Sequence, residues 1–171
     1  GPIGLRTLAV AKVGGAGRII VSDPIAYRLR CAQALGADDV VNPSEENPVE
    51  KVLEVTGGKG VKIVYDTTGN HVATQQGLEM LTTTRGGRGT LCLMGLYESP
   101  DMAFNVSSLM YKAGRIVAEW GIATNGRQYI VEALTLLKHK RLNVAKWITH
   151  QLPEEKANEA VMMLINKTDN A

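Results

Sequence analysis

Gly1-Pro2-Ile3-Gly4-Leu5-Arg6-Thr7-Leu8-Ala9-Val10-Ala11-Lys12-Val13, followed by Gly14-Gly15-Ala16-Gly17 and then Arg18-Ile19-Ile20-Val21-Ser22-Asp23, is the stretch from which the fold can be read. A glycine turn leads into an apolar helical pattern over Leu5 to Val13. Pro2 suits a first helical position, and Gly14-Gly15 is a stop. Arg18–Asp23 is a β-branched run, as expected for a strand buried on both faces. Its acid comes 19 residues after the last glycine of the turn (23 − 4). Turn, helix, strand and acid in this order match the second half of the fingerprint G-x-G-x-x-G…D, which binds dinucleotides. The first glycine and the strand before it are not in the sequence, nor is an initiator Met. The expectation is therefore a piece of a longer chain.

Outward from that stretch, helical and strand patterns alternate. Asp23-Pro24 is expected to start a second helix that stops at Gly36. A short strand follows at Asp39–Asn42. Pro48 begins a helix with Val49, Val52, Leu53 and Thr56 on one face, ended by Gly57-Gly58. Val61–Asp66 reads as a strand, Asn70 as the cap of a helix running to about Leu81, and Gly86-Gly87-Arg88-Gly89 as a loop. Thr90–Met94 reads as a further buried strand, then come a short helix near Val106–Lys112 and a strand Arg115–Gly121. Two amphipathic helices close the chain, one with Ile130, Leu134 and Leu137, the other with Ala157, Ala160, Val161 and Leu164. Trp147–Leu152 between them is strand-like.

Strands alternating with helices predict an α/β fold: a doubly wound parallel sheet of the Rossmann-like dinucleotide-binding kind, truncated at its first strand. In the strand order 3-2-1-4-5-6 the missing strand is the central one. Strands two and four would then flank a gap with unpaired backbone groups. The chain by itself is expected to be marginal in stability.

Each feature carries its own chemistry. Gly1 would let the backbone approach a pyrophosphate, and Gly4 would let the helix pack closely. The N–H groups and dipole of the helix start would bind the phosphates. A plain strand-to-helix turn accounts for the glycines equally well. Asp23, at the carboxyl end of strand two, can take both ribose hydroxyls of an adenosine and repel a 2′-phosphate, which favours NAD over NADP. It can also cap the next helix. Arg28 is placed either near the adenosine or on a solvated helix face. Asp66-Thr67-Thr68-Gly69 and Met94-Gly95-Leu96 follow strands, so both belong at the edge where ligands bind in open α/β sheets. Neither reads as carrying an obvious acid, base or nucleophile. His71, His139 and His150 are scattered and read as structural.

Composition narrows the class. The chain has 171 residues, 44% hydrophobic and 21% charged, with net charge +2. That suits one globular domain and argues against a nucleic-acid partner. Lys138-His139-Lys140-Arg141 reads as cations at a helix end. Cys31 and Cys92 lack metal-site spacing and are expected as buried thiols in a reducing, cytoplasmic setting. No apolar run approaches membrane-spanning length.

The sequence resembles the coenzyme-binding half of a zinc-type medium-chain alcohol dehydrogenase, of the branch with sorbitol, threonine and butanediol dehydrogenases. The residues that carry the likeness are Gly1-Pro2-Ile3-Gly4-Leu5, Arg18–Asp23, Leu35-Gly36-Ala37-Asp38, the loop at Gly69, Gly87-Arg88-Gly89, and Ile148-Thr149-His150 followed by Leu152-Pro153. The resemblance implies a division into residues 1–121, a dinucleotide-binding domain without its first strand, and residues 122–171, a helical segment that packs on a catalytic domain. It implies that Gly1, Pro2, Ile3 and Gly4 hold the pyrophosphate, and that Asp23 and Arg28 hold the adenosine ribose. Thr67, Thr68 and His71 would wall the adenine side. Backbone groups at Met94, Gly95, Leu96, Ala118 and Trp120 would fix the nicotinamide. The implied cofactors are NAD and, in the longer parent, a zinc ion whose ligands are not in this sequence. The implied substrate is an alcohol or polyol, and the implied assembly a homodimer or homotetramer joined near Arg115–Gly121. Three other readings stand beside it: a zinc-free medium-chain reductase using NADPH, which would want a small or basic residue in place of Asp23; a methyltransferase of similar fold; and a non-catalytic NAD-binding protein.

Overall fold

The structure is a computed structural model. It describes residues 1–83, 88–97, 99, 101–118, 121–148 and 150–166, the side chains of 121–124 and 146 excepted. Helix α1 (Pro2–Val13) is followed by β1 (Ile20–Ser22), α2 (Ala26–Ala34), β2 (Asp39–Val41), α3 (Pro48–Val55), β3 (Ile63–Asp66), α4 (His71–Met80), β4 (Thr90–Leu93), α5 (Val106–Tyr111), β5 (Arg115–Ala118), α6 (Gly121–Lys138) and α7 (Ala157–Ile165). Among the described residues every ladder is parallel. The strands form a two-stranded sheet β1-β2 and a three-stranded sheet β3-β4-β5. Among the described residues no ladder joins the two, and β1 and β3 each pair on one side. Parallel sheets with helices between their strands are the doubly wound, Rossmann-like arrangement that the alternation of elements predicts.

Local chemistry sets the helix starts. Asn47 accepts from the Val49 N–H at 2.9 Å, Asn70 from Val72 and Ala73 at 2.9 and 3.1 Å, and Asn105 from Ser108 at 3.0 Å. Each thereby satisfies donors that the first helical turn leaves orphaned. Lys112 closes the other end of α4, donating to the carbonyls of Glu79 and Leu81 at 3.0 and 2.8 Å. Arg18 ties the start of the first sheet together, with its Nε 2.7 Å from Asp39. The larger sheet has its core in Leu78, Leu81 and Leu91, surrounded by Val64, Leu93, Phe104, Leu109 and Ile116. Under the smaller sheet the buried residues are Leu8, Leu29, Ala32, Val41 and Val52.

Several expectations need correction. The strands are shorter than predicted and are not buried on both faces: Ile63 and Tyr65 of β3 are 52% and 45% exposed. A strand is covered only when its neighbours are in place, and β3 lacks one. Asp23 does not cap α2. The cap position is Ile25, whose N–H donates to Asp23 Oδ1 at 2.9 Å in a turn of the Asx kind. Gly121 opens α6 instead of closing a strand, and α6 bends at Asn125 (φ −153°, ψ 39°). Trp147–Leu152 is not a strand. Val144–Trp147 is a 3-10 turn, and the described residues after it form no ladder. Ile148 has extended dihedrals (φ −88°, ψ 105°), but extended backbone becomes a strand only where a partner offers hydrogen bonds. Cys31 and Cys92 are not joined in a disulfide and are half-buried instead of fully buried. Gly86, Gly87, Trp120, Thr149, Asn170 and Ala171 lie outside the described residues.

Candidate functional site

In a parallel α/β sheet all carboxyl strand ends lie on one edge, and the loops leaving them converge there. At that edge the structure brings most of the sequence-nominated residues into one line of contacts. It begins at the second strand. Asp23 Oδ2 lies against the Gly1 nitrogen, which is the charged amino end of the given sequence, and a Cβ on Gly1 would sit 3.6 Å from the Arg28 guanidinium. Asp23 is 7% exposed; its Oδ1 accepts from the Ile25 N–H at 2.9 Å, and its own backbone N–H donates to the Val41 carbonyl at 3.2 Å.

The line continues through α1. Its N-terminus carries no side-chain cap and no acid, and Pro2 occupies its first turn. The N–H groups of that turn therefore point outward with the positive end of the helix dipole, a ready anion site. Gly4 in the same turn faces the loop after β3, and a Cβ there would be 3.3 Å from Thr67 Oγ1. Gly4 thus spaces α1 from the second sheet's edge, a role more specific than helix packing in general.

The β3–α4 loop then meets the loop after β4, backbone to backbone. Gly69 has φ +66°, and a Cβ on it would fall 2.0 Å from the Leu96 carbonyl oxygen. A Cβ on Gly95 would fall 2.2 Å from the Gly69 nitrogen. Only glycine allows this approach at both positions. The N–H groups of Met94 and Gly95 donate to the Asp66 carbonyl at 2.8 and 3.0 Å. Met94 therefore keeps only its carbonyl for a ligand. His71 opens α4, its ring 5.9 Å from that of Tyr97. Ala118 stands opposite Leu93 at the end of β5, beside the line but not in it.

The sequence reading passed over one group here. Asp66 is 4% exposed. Its Oδ1 accepts from the Thr68 N–H at 2.8 Å and the Thr68 hydroxyl at 2.6 Å. Its Oδ2 accepts from the hydroxyls of Thr74 at 2.5 Å and Tyr97 at 2.8 Å. Burial works to raise this carboxyl's pKa, but the donors from Thr68, Thr74 and Tyr97 outweigh burial and hold it below the ordinary value. Burial, with the Asp66 carboxylate adding to it, pushes the Tyr97 phenol up. An acid closing a strand was visible in the sequence. Its partner Tyr97, 31 residues on, was not.

A hollow of about 430 Å³ lies away from this edge, where α1 and α2 end, among Lys12, Leu35, Lys140, Arg141 and Trp147. There Lys12 Nζ donates to the Gly36 carbonyl at 3.5 Å, just past the end of α2. Among the described residues no three His, Cys, Asp or Glu side chains gather into a metal-binding group, and no helix is long and apolar enough to cross a membrane.

The edge can thus hold an extended ligand with an anionic middle and a hydroxylated end, and known proteins share its frame. A family model described as zinc-binding dehydrogenase matches residues 2–139. The L-threonine 3-dehydrogenase of Thermococcus kodakarensis is 38% identical over 152 residues, covering 88% of this chain and 41% of that protein. The sorbitol dehydrogenase of Homo sapiens is 37% identical over 162 residues, covering 94% of this chain and 43% of that one. Among solved structures, the alcohol dehydrogenase TADH from Thermus sp. ATN1 superposes with a TM-score of 0.89 at 30% identity, covering 99% of this chain and 47% of that one. The chain thus spans less than half the length of the proteins it matches.

Proposed function

The chain belongs to the zinc-binding dehydrogenase family, and from that premise we propose that it holds NAD for hydride transfer from an alcohol or polyol, as the coenzyme-placing part of a dehydrogenase. The observation that carries this reading is the continuous line from Asp23 through Gly1, Gly4 and Thr67 to Gly69, Gly95 and Leu96. The uncapped start of α1, with Gly1, Pro2, Ile3 and Gly4, would take the pyrophosphate. Asp23 would accept from the ribose hydroxyls, with Arg28 beside it. Thr67, Thr68 and His71 would wall the adenine side. Backbone at Met94, Gly95 and Leu96, with Ala118 and Trp120, would hold the carboxamide. A nicotinamide held by these residues would supply the acceptor for a hydride from a carbinol carbon. The chain's own part is placement: a ring held still in a near-attack geometry removes much of the entropic barrier.

The wider protein is part of the same proposal. Its catalytic zinc would be held by residues beyond those described, since no metal-binding group forms among them. Residues 1–121 would be the coenzyme domain and 122–171 the segment that packs on a catalytic domain. The exposed Ile130, Leu134, Val161 and Leu164 support that division. The outer side of β5 would join a second copy in a dimer or tetramer. Cysteines outside any disulfide, as Cys31 and Cys92 are, suit a cytoplasmic setting.

The test is titration of the natural full-length protein with NADH and NADPH, followed by fluorescence. NADH should bind more tightly. Asp23→Ala should weaken NADH by about 10- to 100-fold, the range for hydrogen bonds to a charged group, and should affect NADPH far less. Preference for NADPH, or binding of S-adenosylmethionine in place of either, would overturn the proposal.

A further inference from the structure

We infer that Asp66 and Tyr97 are positioning residues that lock the β3–α4 loop to the loop after β4, so that the two halves of a bound dinucleotide meet one rigid wall, an inference that rests on the NAD reading above. The donors to Asp66 come from three separate elements. Thr68 belongs to the β3–α4 loop, Thr74 to α4 and Tyr97 to the loop after β4. Thr74 and Tyr97 also touch each other, their hydroxyls 2.8 Å apart. The carboxylate is thus a hub, one oxygen facing its own loop and the other facing the helix and the second loop.

A fold does not need this arrangement for stability. A buried carboxylate repays its desolvation only with a full set of donors, and an apolar group of the same volume often serves as well. What the charge adds is direction. The loops it ties are those whose backbones touch at Gly69, Gly95 and Leu96. On the dinucleotide reading, the first loop meets the adenine side and the second the nicotinamide side. Tyr97 is the single side chain among the described residues that reaches Asp66 from the second loop. Its removal leaves Asp66 with the Thr68 and Thr74 donors, so the acid stays satisfied, while the second loop keeps its Met94 and Gly95 N–H bonds to the Asp66 carbonyl but loses the side-chain tie beyond them.

The experiment measures Kd for NADH and for AMP, together with the melting temperature, in the full-length protein and its variants. Tyr97→Phe should weaken NADH by about 5-fold or more, the usual consequence of one lost hydrogen bond. AMP, which meets only the first loop, should bind within about twofold of native. Thr74→Ser, which keeps the hydroxyl, should behave as native, and Thr74→Val should follow Tyr97→Phe. The Thr74 pair also decides the matter if Tyr97→Phe does not fold. Unchanged NADH binding in both Tyr97→Phe and Thr74→Val would overturn the inference. So would an equal loss of NADH and AMP, the mark of a merely structural role. A native protein that binds neither NADH nor NADPH would instead sink the dinucleotide reading, and the inference with it.

Discussion

The two sheets meet the same task with different means. The larger, β3-β4-β5, has four-residue ladders and a buried cluster of Leu78, Leu81 and Leu91. The smaller, β1-β2, pairs only three residues on each strand and leaves Ser22 exposed. Yet the carboxyl ends of the two are held with similar strictness. Asp23 is held at its carboxylate by the Ile25 N–H and at its own N–H by the Val41 carbonyl. Asp66 is pinned by four donors. Site geometry in this chain is therefore set at the loops by hydrogen bonds and glycine contacts, and depends little on how deep the strands behind them are buried.

The largest expected effect tests the opening between the sheets. Unpaired strand sides cost free energy wherever water is excluded from them. The 171-residue chain by itself should melt with little cooperativity and below about 50 °C, the lower part of the ordinary range for single domains. A sharp calorimetric transition above that temperature would show that the two sheets need nothing between them. A second effect separates loop contact from strand packing. Gly69→Val puts a branched side chain where a carbonyl oxygen lies and where φ is +66°. It should cost about 3 kcal/mol or more in denaturant unfolding of the full-length protein and abolish NADH binding. Leu78→Ala should cost a similar amount, about 2–5 kcal/mol, as a cavity, while binding persists in the fraction that stays folded. Equal loss of binding in the two variants would erase the distinction between edge and core.

The smallest effect is in acid. Asp66 has its folded pKa below the unfolded value of 3.8. Its contribution to stability is therefore complete above that pH and is lost as pH falls through the folded value. Asp66→Asn should be less stable than native near neutrality, and the gap should narrow below about pH 4. A gap that stays constant into acid would mean that the carboxylate's charge does nothing for the hub.

How far the sequence could be read follows from the range of the forces involved. Helix starts at Pro48 and at the residue after Asn70, and stops at Gly14 and Gly57, depend on neighbours a few positions away, so they were legible. The alternation of elements, the parallel pairing and the placement of Asp23 followed from the same local signals. The strand expected at Trp147–Leu152 failed because its side-chain pattern was right but pairing partners are not written in a local pattern. Burial of the strands and of Cys31 and Cys92 was overestimated for a related reason: it depends on what lies across the sheet.

By itself, then, the sequence determined the class of fold, the order of its elements and the place of an acid directly after β1, because each rests on short-range spacing. Only the tertiary structure decided that Gly4 faces Thr67, that Gly69 and Gly95 bring two loops into backbone contact, and that Tyr97 shares Asp66 with Thr68 and Thr74. Those are meetings between residues far apart in the chain. Their geometry is set by parallel strands that bring every carboxyl end to one edge, and a linear pattern holds no record of which loops will touch there.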